Sequence, residues 1–126
     1  MRKVILLLFT IICTTVSAQN ILWFRTTDFA YNYNSTWSDW EKSNLKIKID
    51  TNKDLVIVYS KSIQIYKILY EIDPPYDATG VQVSFKIVDQ DGDYGKLRLR
   101  IENTGTSQIY IDFNNIHWVY NVVRIQ

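Results

Sequence analysis

Cysteine is almost absent from this chain of 126 residues, because the only one, Cys13, lies close to the amino terminus. Beyond that point the sequence excludes disulfide bridges, thiolate metal sites and a cysteine nucleophile. Histidine also occurs only once, at His117, so the usual ligands of a zinc site are lacking. The sequence predicts no metal and no cofactor, and a fold held together by its hydrophobic core alone.

Long apolar runs are limited to the first 18 residues. Arg2 and Lys3 precede an apolar run from Val4 to Ile12, and Val16 to Ala18 form a small-residue cleavage site. A membrane-spanning helix needs ~20 apolar residues, whereas a secretory signal peptide has this shorter design. We predict an exported protein, secreted or periplasmic, that is cleaved after Ala18 and keeps no transmembrane segment. Residues 19–126 then form a single domain.

An excess of one charge is lacking too. Removing Arg2 and Lys3 from the 14 basic residues leaves 12 against 13 acidic residues, so the net charge after cleavage is −1. A nearly neutral chain has no global field that attracts polyanions, and we expect no nucleic-acid partner. Aromatic residues, in contrast, make up 14% of the chain, and they favour both β-strands and binding surfaces.

The clearest structural pattern runs from Val81 to Ile101, where two segments with alternating apolar residues flank an acidic turn that contains glycine. A period of two residues places each apolar set on one face of a strand. We predict a β-hairpin with a loop of three or five residues. This loop pairs Ile87 with Leu97 and leaves Gly92 or Gly95 for a positive φ angle.

Two further hairpins follow from the same alternation. Residues 45–59 alternate around a polar break, and we expect an odd-length loop that pairs Ile49 with Leu55. Residues 107–122 alternate around two adjacent asparagines, which tolerate the positive φ angles of a two-residue type I′ turn. That turn pairs Asp112 with His117.

About nine strands with mostly short loops are predicted, and no segment shows the apolar spacing of an α-helix. We expect a turn at residues 26–28 and a β-bulge near Ile65 and Tyr66, where the apolar parity changes. The prediction is an all-β domain, an antiparallel meander of about 8–9 strands that forms a small closed or partly open β-barrel. A two-sheet β-sandwich is the alternative, although it usually needs crossing connections.

Two acidic runs have the oxygen spacing with which a calcium loop begins, namely Asp89, Asp91 and Asp93, and the run from Asp50 to Asp54. An EF-hand loop also needs glycine at its sixth position and glutamate at its twelfth, and neither run supplies them. Because aspartate, asparagine and glycine are also the residues of turns, we interpret both runs as turns, with weak calcium binding as the alternative.

The predicted pair of Asp112 and His117 resembles half of a catalytic triad, in which a carboxylate orients an imidazole. No serine can be placed beside the pair from the sequence, and opposite charges on adjacent strands commonly form an ordinary cross-strand pair. We interpret the pair as structural and predict no catalytic residues and no enzymatic activity.

Six basic residues occupy the polar parity of their strands and could form one basic face for an anionic glycan, a membrane surface or nucleic acid. The same pattern also keeps the outside of a sheet soluble. The six residues are Lys46, Lys48, Lys86, Lys96, Arg98 and Arg100.

Four aromatic residues are the best candidates for ligand binding: Tyr31, Tyr33, Trp37 and Trp40. They lie in or just before residues 34–44, a polar segment with little strand pattern that we expect to be the longest loop. Exposed aromatic side chains stack on ligands or form hot spots of protein interfaces. Alternatively, Trp37 and Trp40 fold back as a lid on the end of the barrel.

Six short motifs, taken together, resemble those of a group of small exported proteins from gut Bacteroidota and their phages. The resemblance spans most of residues 19–126. It implies a bacterial, exported setting and carries over no active site. The motifs are Trp37–Trp40, Ile47–Asp50, Gln64–Tyr66, Asp89–Gly92, Ile111–Phe113 and Trp118–Tyr120.

These observations predict an exported small β-barrel that binds a ligand without catalysis. The ligand is expected to be a small apolar molecule in the mouth of the barrel or a glycan bound by the aromatic residues. The alternative is a protein–protein interaction module, such as an exported inhibitor or surface-exclusion factor. Such a module would dock on an envelope protein through Trp37, Trp40 and the basic face.

Overall fold

The computed structural model describes residues 21–72, 80–102 and 106–125, and the predicted signal peptide lies outside them. The described residues form ten β-strands. None of them belongs to a helix, and so no apolar helix long enough to cross a membrane occurs there. The strands are β1 (Ile21–Tyr33), β2 (Thr36–Trp37), β3 (Glu41–Lys42), β4 (Lys46–Asp50), β5 (Leu55–Val58), β6 (Gln64–Ile72), β7 (Gly80–Val88), β8 (Tyr94–Glu102), β9 (Ser107–Phe113) and β10 (Ile116–Arg124).

Eight of these strands close into a barrel. Their order around the barrel is β1, β4, β5, β6, β7, β8, β9 and β10, and β10 pairs with β1 to complete the circuit. Every pairing is antiparallel. β2 and β3 pair with β1 beyond the end of β4. The predicted all-β meander and its closure into a small barrel are therefore confirmed, and the sandwich is not formed.

Apolar side chains from all eight barrel strands fill the interior. Alternate residues point inward because the side chains of a strand alternate between its two faces. Phe85, Leu99 and Ile111 are at most 1% exposed, as the alternation predicts. An eight-stranded barrel is just wide enough for such side chains to fill it, so the interior is a packed core.

The β7–β8 hairpin has the predicted odd-length loop, residues 89–93, with Gly92 at a φ angle of 87°. The predicted partners are wrong by two residues, because Ile87 pairs with Gly95 instead of Leu97. A shift of two residues leaves every side chain on its predicted face.

Hydrogen bonds of Asp89 hold this five-residue loop closed. Its carboxylate Oδ1 accepts hydrogen bonds from the amides of Asp91 and Asp93 at 3.0 and 2.9 Å. Its own amide donates to the carbonyl of Asp93 at 2.9 Å. The acidic run therefore has the turn chemistry that the sequence indicates.

The β4–β5 hairpin has a four-residue loop, so the odd-length loop predicted there is wrong. Ile49 pairs with Val56 instead of Leu55. The apolar pattern could not fix this register because β5 is apolar on both faces. The buried carboxylate of Asp50 fixes it, since Oδ1 accepts the amides two and three residues further on at 3.0 and 3.1 Å.

The turn predicted at residues 26–28 is a β-bulge inside one long strand, β1. Its register against β10 shifts between Thr26 and Asp28, and pairing continues on both sides. The buried Thr26 hydroxyl accepts the amide of Leu45 at 2.7 Å and is hydrogen-bonded to the hydroxyl of Ser43 at 2.8 Å. The bulge thereby anchors the segment that leads into β4.

β6 contains a bulge, but later than predicted. Its register against β7 shifts between Ile68 and Tyr70, not near Ile65. Tyr66 and Ile68 face the core before the shift, whereas Tyr70 is 43% exposed after it. The last part of this strand therefore presents an apolar side chain to solvent.

The β9–β10 hairpin has the predicted register, with Asp112 opposite His117 across a two-residue turn. The predicted type I′ conformation is wrong, because neither of the two turn asparagines has a positive φ angle. Such angles occur instead at Asn34 (55°) and Ser35 (67°), in the two-residue turn between β1 and β2.

Candidate functional site

Three connections meet at one end of the barrel, which we call the mouth: residues 59–63, 89–93 and 114–115. They meet because alternate connections of an antiparallel meander lie at the same end. Between them is a cleft of about 540 Å³, a volume typical of small-molecule sites. We call it the mouth cleft. Its lining residues are Ser62, Ile63, Gln64, Ile65, Tyr66, Asp89, Gln90, Asp91, Asp93, Tyr94, Phe113, Asn114, Asn115, Ile116 and Trp118.

Three aromatic rings form the floor of the mouth cleft. The rings of Tyr66 and Phe113 are 6.0 Å apart between centroids, and those of Phe113 and Trp118 are also 6.0 Å apart and stacked. Tyr66 is part of the buried core, and the other two rings are partly buried against it. The rings therefore cover the packed interior, and a ligand would rest on them instead of entering the barrel.

Gly95 allows the Phe113 ring to take this position. A Cβ atom at residue 95 would lie 2.6 Å from the carbonyl oxygen of Asp112 and 2.7 Å from Cε1 of Phe113. Both distances are shorter than real Cβ contacts. The Phe113 ring thus packs against the backbone of β8 at Gly95, where the strand has no side chain.

A polar network lies beside the aromatic floor. The Tyr66 hydroxyl donates to Oε1 of Gln64 at 2.5 Å, and Nε2 of Gln64 donates to the hydroxyl of Ser60 at 3.2 Å. Burial raises the pKa of Tyr66, and the neighbouring Tyr120 and Asp89 raise it further. Tyr66 therefore stays a neutral hydrogen-bond donor at physiological pH.

Tyr120 and Trp118 continue this network. Burial raises the pKa of Tyr120, and the neighbouring side chains of Gln64 and Trp118 oppose this in part. The buried indole N–H of Trp118 has no hydrogen-bond acceptor among the described residues.

The charged residues that line the mouth cleft are all acidic within the described part of the chain. Asp89, Asp91 and Asp93 lie on its rim, and neither lysine nor arginine lines it there. The described residues contain no group of three metal-type ligands that could hold an ion. The acidic residues of the rim and the aromatic rings of the floor thus line the same cleft.

The four aromatic residues predicted as a ligand site lie on two different faces. Tyr31 and Tyr33 pair with Trp118 and Ile116 of β10, and paired residues project to the same side of a sheet. The two tyrosines, 43% and 52% exposed, therefore extend the mouth side of the wall. Trp37 pairs with Asn32 and projects to the opposite side.

Trp37 and Trp40 lie against the outer wall of the barrel and do not cover its end. Together with Tyr110 they border a depression of about 310 Å³ whose floor includes Ala30 and Val119. Hydrogen bonds hold residues 34–44 in place, because the Ser38 amide donates to the carbonyl of Tyr31 at 2.7 Å and the Ser38 hydroxyl accepts the Tyr31 amide at 2.9 Å. About half of each tryptophan is exposed.

The predicted pair of Asp112 and His117 is formed on the outer wall. Oδ1 of Asp112 lies 3.0 Å from Nδ1 of His117. Nε and Nη2 of Arg98 donate hydrogen bonds to the same carboxylate at 2.9 and 3.3 Å. The Arg98 guanidinium also lies 4.2 Å from the centroid of the Tyr110 ring. Arg98, Asp112 and His117 line a second depression, which Trp37 and Lys96 also border. We call this depression and the one beside Trp40 together the outer groove.

The six basic residues lie in two groups, because Lys46 and Lys48 are on β4 and the other four are on β7 and β8, with β5 and β6 between them. Besides the Arg98 pair, Arg100 contacts Glu102 at 2.5 Å, and Lys48 lies 3.9 Å from Asp50 and 5.4 Å from the ring centroid of Trp23. Lys46 is exposed on β4. Lys86 lies over Tyr94, outside the mouth cleft lining.

The sequence did not single out the aromatic residues that line the mouth cleft. Tyr66, Phe113 and Trp118 share the apolar parity of their strands, so alternation does not distinguish them from ordinary core positions. The available signal was their place at the last inward positions before a loop. No protein-family model, curated protein or solved structure matches this chain.

Proposed function

We propose that the protein is an exported, non-enzymatic binding protein that takes a small ligand in the mouth cleft. The observation that carries the proposal is the cleft above the filled core, which is lined by Tyr66 of the core and by the partly buried rings of Phe113 and Trp118. Ligand sites combine aromatic walls with a few polar groups in the same way.

The exposure of apolar side chains around the floor supports this function. Tyr94 is 63% exposed, Ile63 53% and Ile116 37%. Exposed apolar groups around a concave surface are typical of binding sites. A ligand that covers the aromatic floor would gain contact with several rings, and each close aromatic contact contributes about 0.5–1.5 kcal/mol beyond the burial of area.

The surroundings of His117 support binding without catalysis. Its carboxylate partner, Asp112, is shared with the Arg98 guanidinium. This arrangement accounts for the histidine as one member of an ion-paired cluster on the outer wall. The mouth cleft lining contains no histidine within the described residues.

Ligand screening by NMR on the protein without residues 1–18 tests the proposal. The library should contain apolar molecules, neutral oligosaccharides, organic acids and organic amines, and the indole N–H signal of Trp118 reports on the floor. Tyr94→Ala removes an exposed ring from the rim without opening the core. We expect it to weaken a mouth ligand about tenfold.

Tyr70→Ala is the matched control, because Tyr70 is an exposed tyrosine that does not line the cleft. It should leave binding unchanged. If no class of ligand shifts the signals of the floor, or if both tyrosine variants weaken binding equally, the mouth cleft is not the site.

The outer groove supports a second candidate function, a protein–protein interaction module. Trp37 and Trp40 are half-exposed, Trp37 beside Arg98 and Trp40 in the same depression as Tyr110, and tryptophan, tyrosine and arginine are the residues that dominate interface hot spots. Capture of partners from envelope extracts distinguishes the two functions. A genuine docking partner should be lost with Trp37→Ala or Trp40→Ala and retained with Tyr94→Ala, and the opposite pattern would contradict docking at the groove.

A further inference from the structure

We infer that the ligand of the mouth cleft is an organic cation, with an amine or quaternary ammonium group held between the aromatic floor and the acidic rim. This inference rests on the proposed function and names the chemistry of its ligand. Three features of the cleft support it: the sign of its charges, the type of its rings and the influence of the rim on the floor.

The sign of the charges is uniform. Asp89, Asp91 and Asp93 line the cleft, and none of the described lining residues is basic. The amides of Asp91 and Asp93 hold the loop closed through Asp89, so the side chains of Asp91 and Asp93 are not needed to close the turn. Their carboxylates therefore attract a cation to the cleft and repel an anion.

The floor has the rings that bind cations. A cation within about 6 Å of the centroid of tryptophan, tyrosine or phenylalanine is attracted by the negative face of the ring, and tryptophan is the strongest. Trp118, Phe113 and Tyr66 are adjacent in the cleft. Tyr94, an exposed ring of the same lining, already has a contact of this kind, because Nζ of Lys86 lies 5.7 Å from its centroid.

The rim and the floor are close enough to act on one group. The negative charge of Asp89 contributes to the raised pKa of the Tyr66 hydroxyl. A positive group placed over the floor is therefore within the influence of the same carboxylate. Rings and carboxylates together favour an alkylated ammonium, which gains from both, over a neutral molecule that gains from the rings alone.

Calorimetric titration with choline and with its uncharged carbon isostere, neohexyl alcohol, tests the inference. The two molecules have nearly the same shape and differ in the charge. We expect choline to bind about tenfold or more tightly than the alcohol, and to shift the Trp118 indole signal in NMR spectra. Acetate should not bind. Added salt should weaken choline binding because exposed charges are screened.

Asp91→Asn and Asp93→Asn together remove two rim charges while keeping the size of the side chains. We expect choline binding to weaken about tenfold and the binding of the alcohol to stay unchanged. Asp39→Asn is the control, because Asp39 is an exposed aspartate in residues 34–44 and does not line the cleft.

The outcomes separate this inference from the proposed function. If the alcohol binds the floor as tightly as choline, or if the two asparagine substitutions leave choline binding intact, the ligand is not selected by charge. The cation inference is then overturned, and binding at the mouth stands. If neither molecule shifts the Trp118 signal but a neutral ligand from the screen does, the inference is again overturned alone. If nothing binds there, both fail.

Discussion

Replacement of Gly95 by alanine tests the packing that builds the aromatic floor. The new Cβ would lie 2.6 Å from a backbone oxygen and 2.7–2.8 Å from two carbons of the Phe113 ring, whereas ordinary contacts begin at 3.4 Å. The shortfall is thus about 0.8 Å at the backbone, where the β8–β9 ladder resists movement. Overpacking of this kind costs about 1–3 kcal/mol, and we expect Gly95→Ala to lower the free energy of unfolding by that amount.

Phe113→Leu makes the origin of this cost measurable. In that background the ring contacts are gone but the backbone contact remains, so Gly95→Ala should cost less than in the parent protein without becoming neutral. The coupling between the two substitutions should be about 0.5–3 kcal/mol, as for other residues in contact. Urea unfolding followed by tryptophan fluorescence gives all four free energies of the cycle.

Gly92→Ala is the matched control for this experiment. A Cβ there meets nothing within 4 Å, but the φ angle of 87° disfavours any residue with a side chain. Its cost of about 1–2 kcal/mol should be the same with and without Phe113→Leu. The packing argument is refuted if Gly95→Ala is as stable as the parent, or if its cost does not depend on residue 113.

Three further predictions concern other parts of the barrel. Stability should fall as the pH rises above about 10, by at most about 1.4 kcal/mol per pH unit for each tyrosine, because Tyr66 and Tyr120 have raised pKa values when folded and keep protons that the unfolded chain releases. Tyr66→Phe should reduce this slope in urea unfolding at several pH values, and an unchanged slope would contradict it. Asp50→Ala removes the acceptor of two loop amides and should cost about 1–3 kcal/mol in the same assay, whereas a cost near zero would mean that the β4–β5 turn does not need it. Arg98→Lys keeps the charge but loses the two-point contact with Asp112, and should cost about 0.5–1.5 kcal/mol, unless thermal unfolding shows the two side chains to be equivalent.

The β9–β10 hairpin shows how far alternation can carry a prediction. Both strands have one apolar and one polar face, and the turn has two residues, so the pairing of Asp112 with His117 follows directly. In β5 both faces are apolar, and the register depends on the hydrogen bonds of Asp50. Alternation cannot supply that information, because the loop contains features that the apolar pattern does not encode, such as the Asp50 carboxylate that accepts two loop amides and the positive φ angle of Asp54.

A ligand in the mouth of the barrel was an expectation from the sequence, but the residues that line the mouth cleft could not be predicted because they are far apart in the sequence. Tyr66, Phe113 and Trp118 come from three strands, and each has the parity of an ordinary core residue. Only the register of the complete barrel shows that they are the last inward residues at the same end. The sequence predicts the acidic turn at Asp89, but its place in the same cleft as these rings depends on closure of the barrel.

The pairing of β10 with β1 closes the barrel, and it also affects how the chain folds. Phe24 lies opposite Arg124, so two ends separated by about 100 residues must find each other after the intervening hairpins have formed. Until they do, β1 and β10 each have an unpaired edge that can recruit a strand from another molecule. A substitution that slows the pairing of β10 with β1 is therefore expected to promote aggregation before the barrel closes.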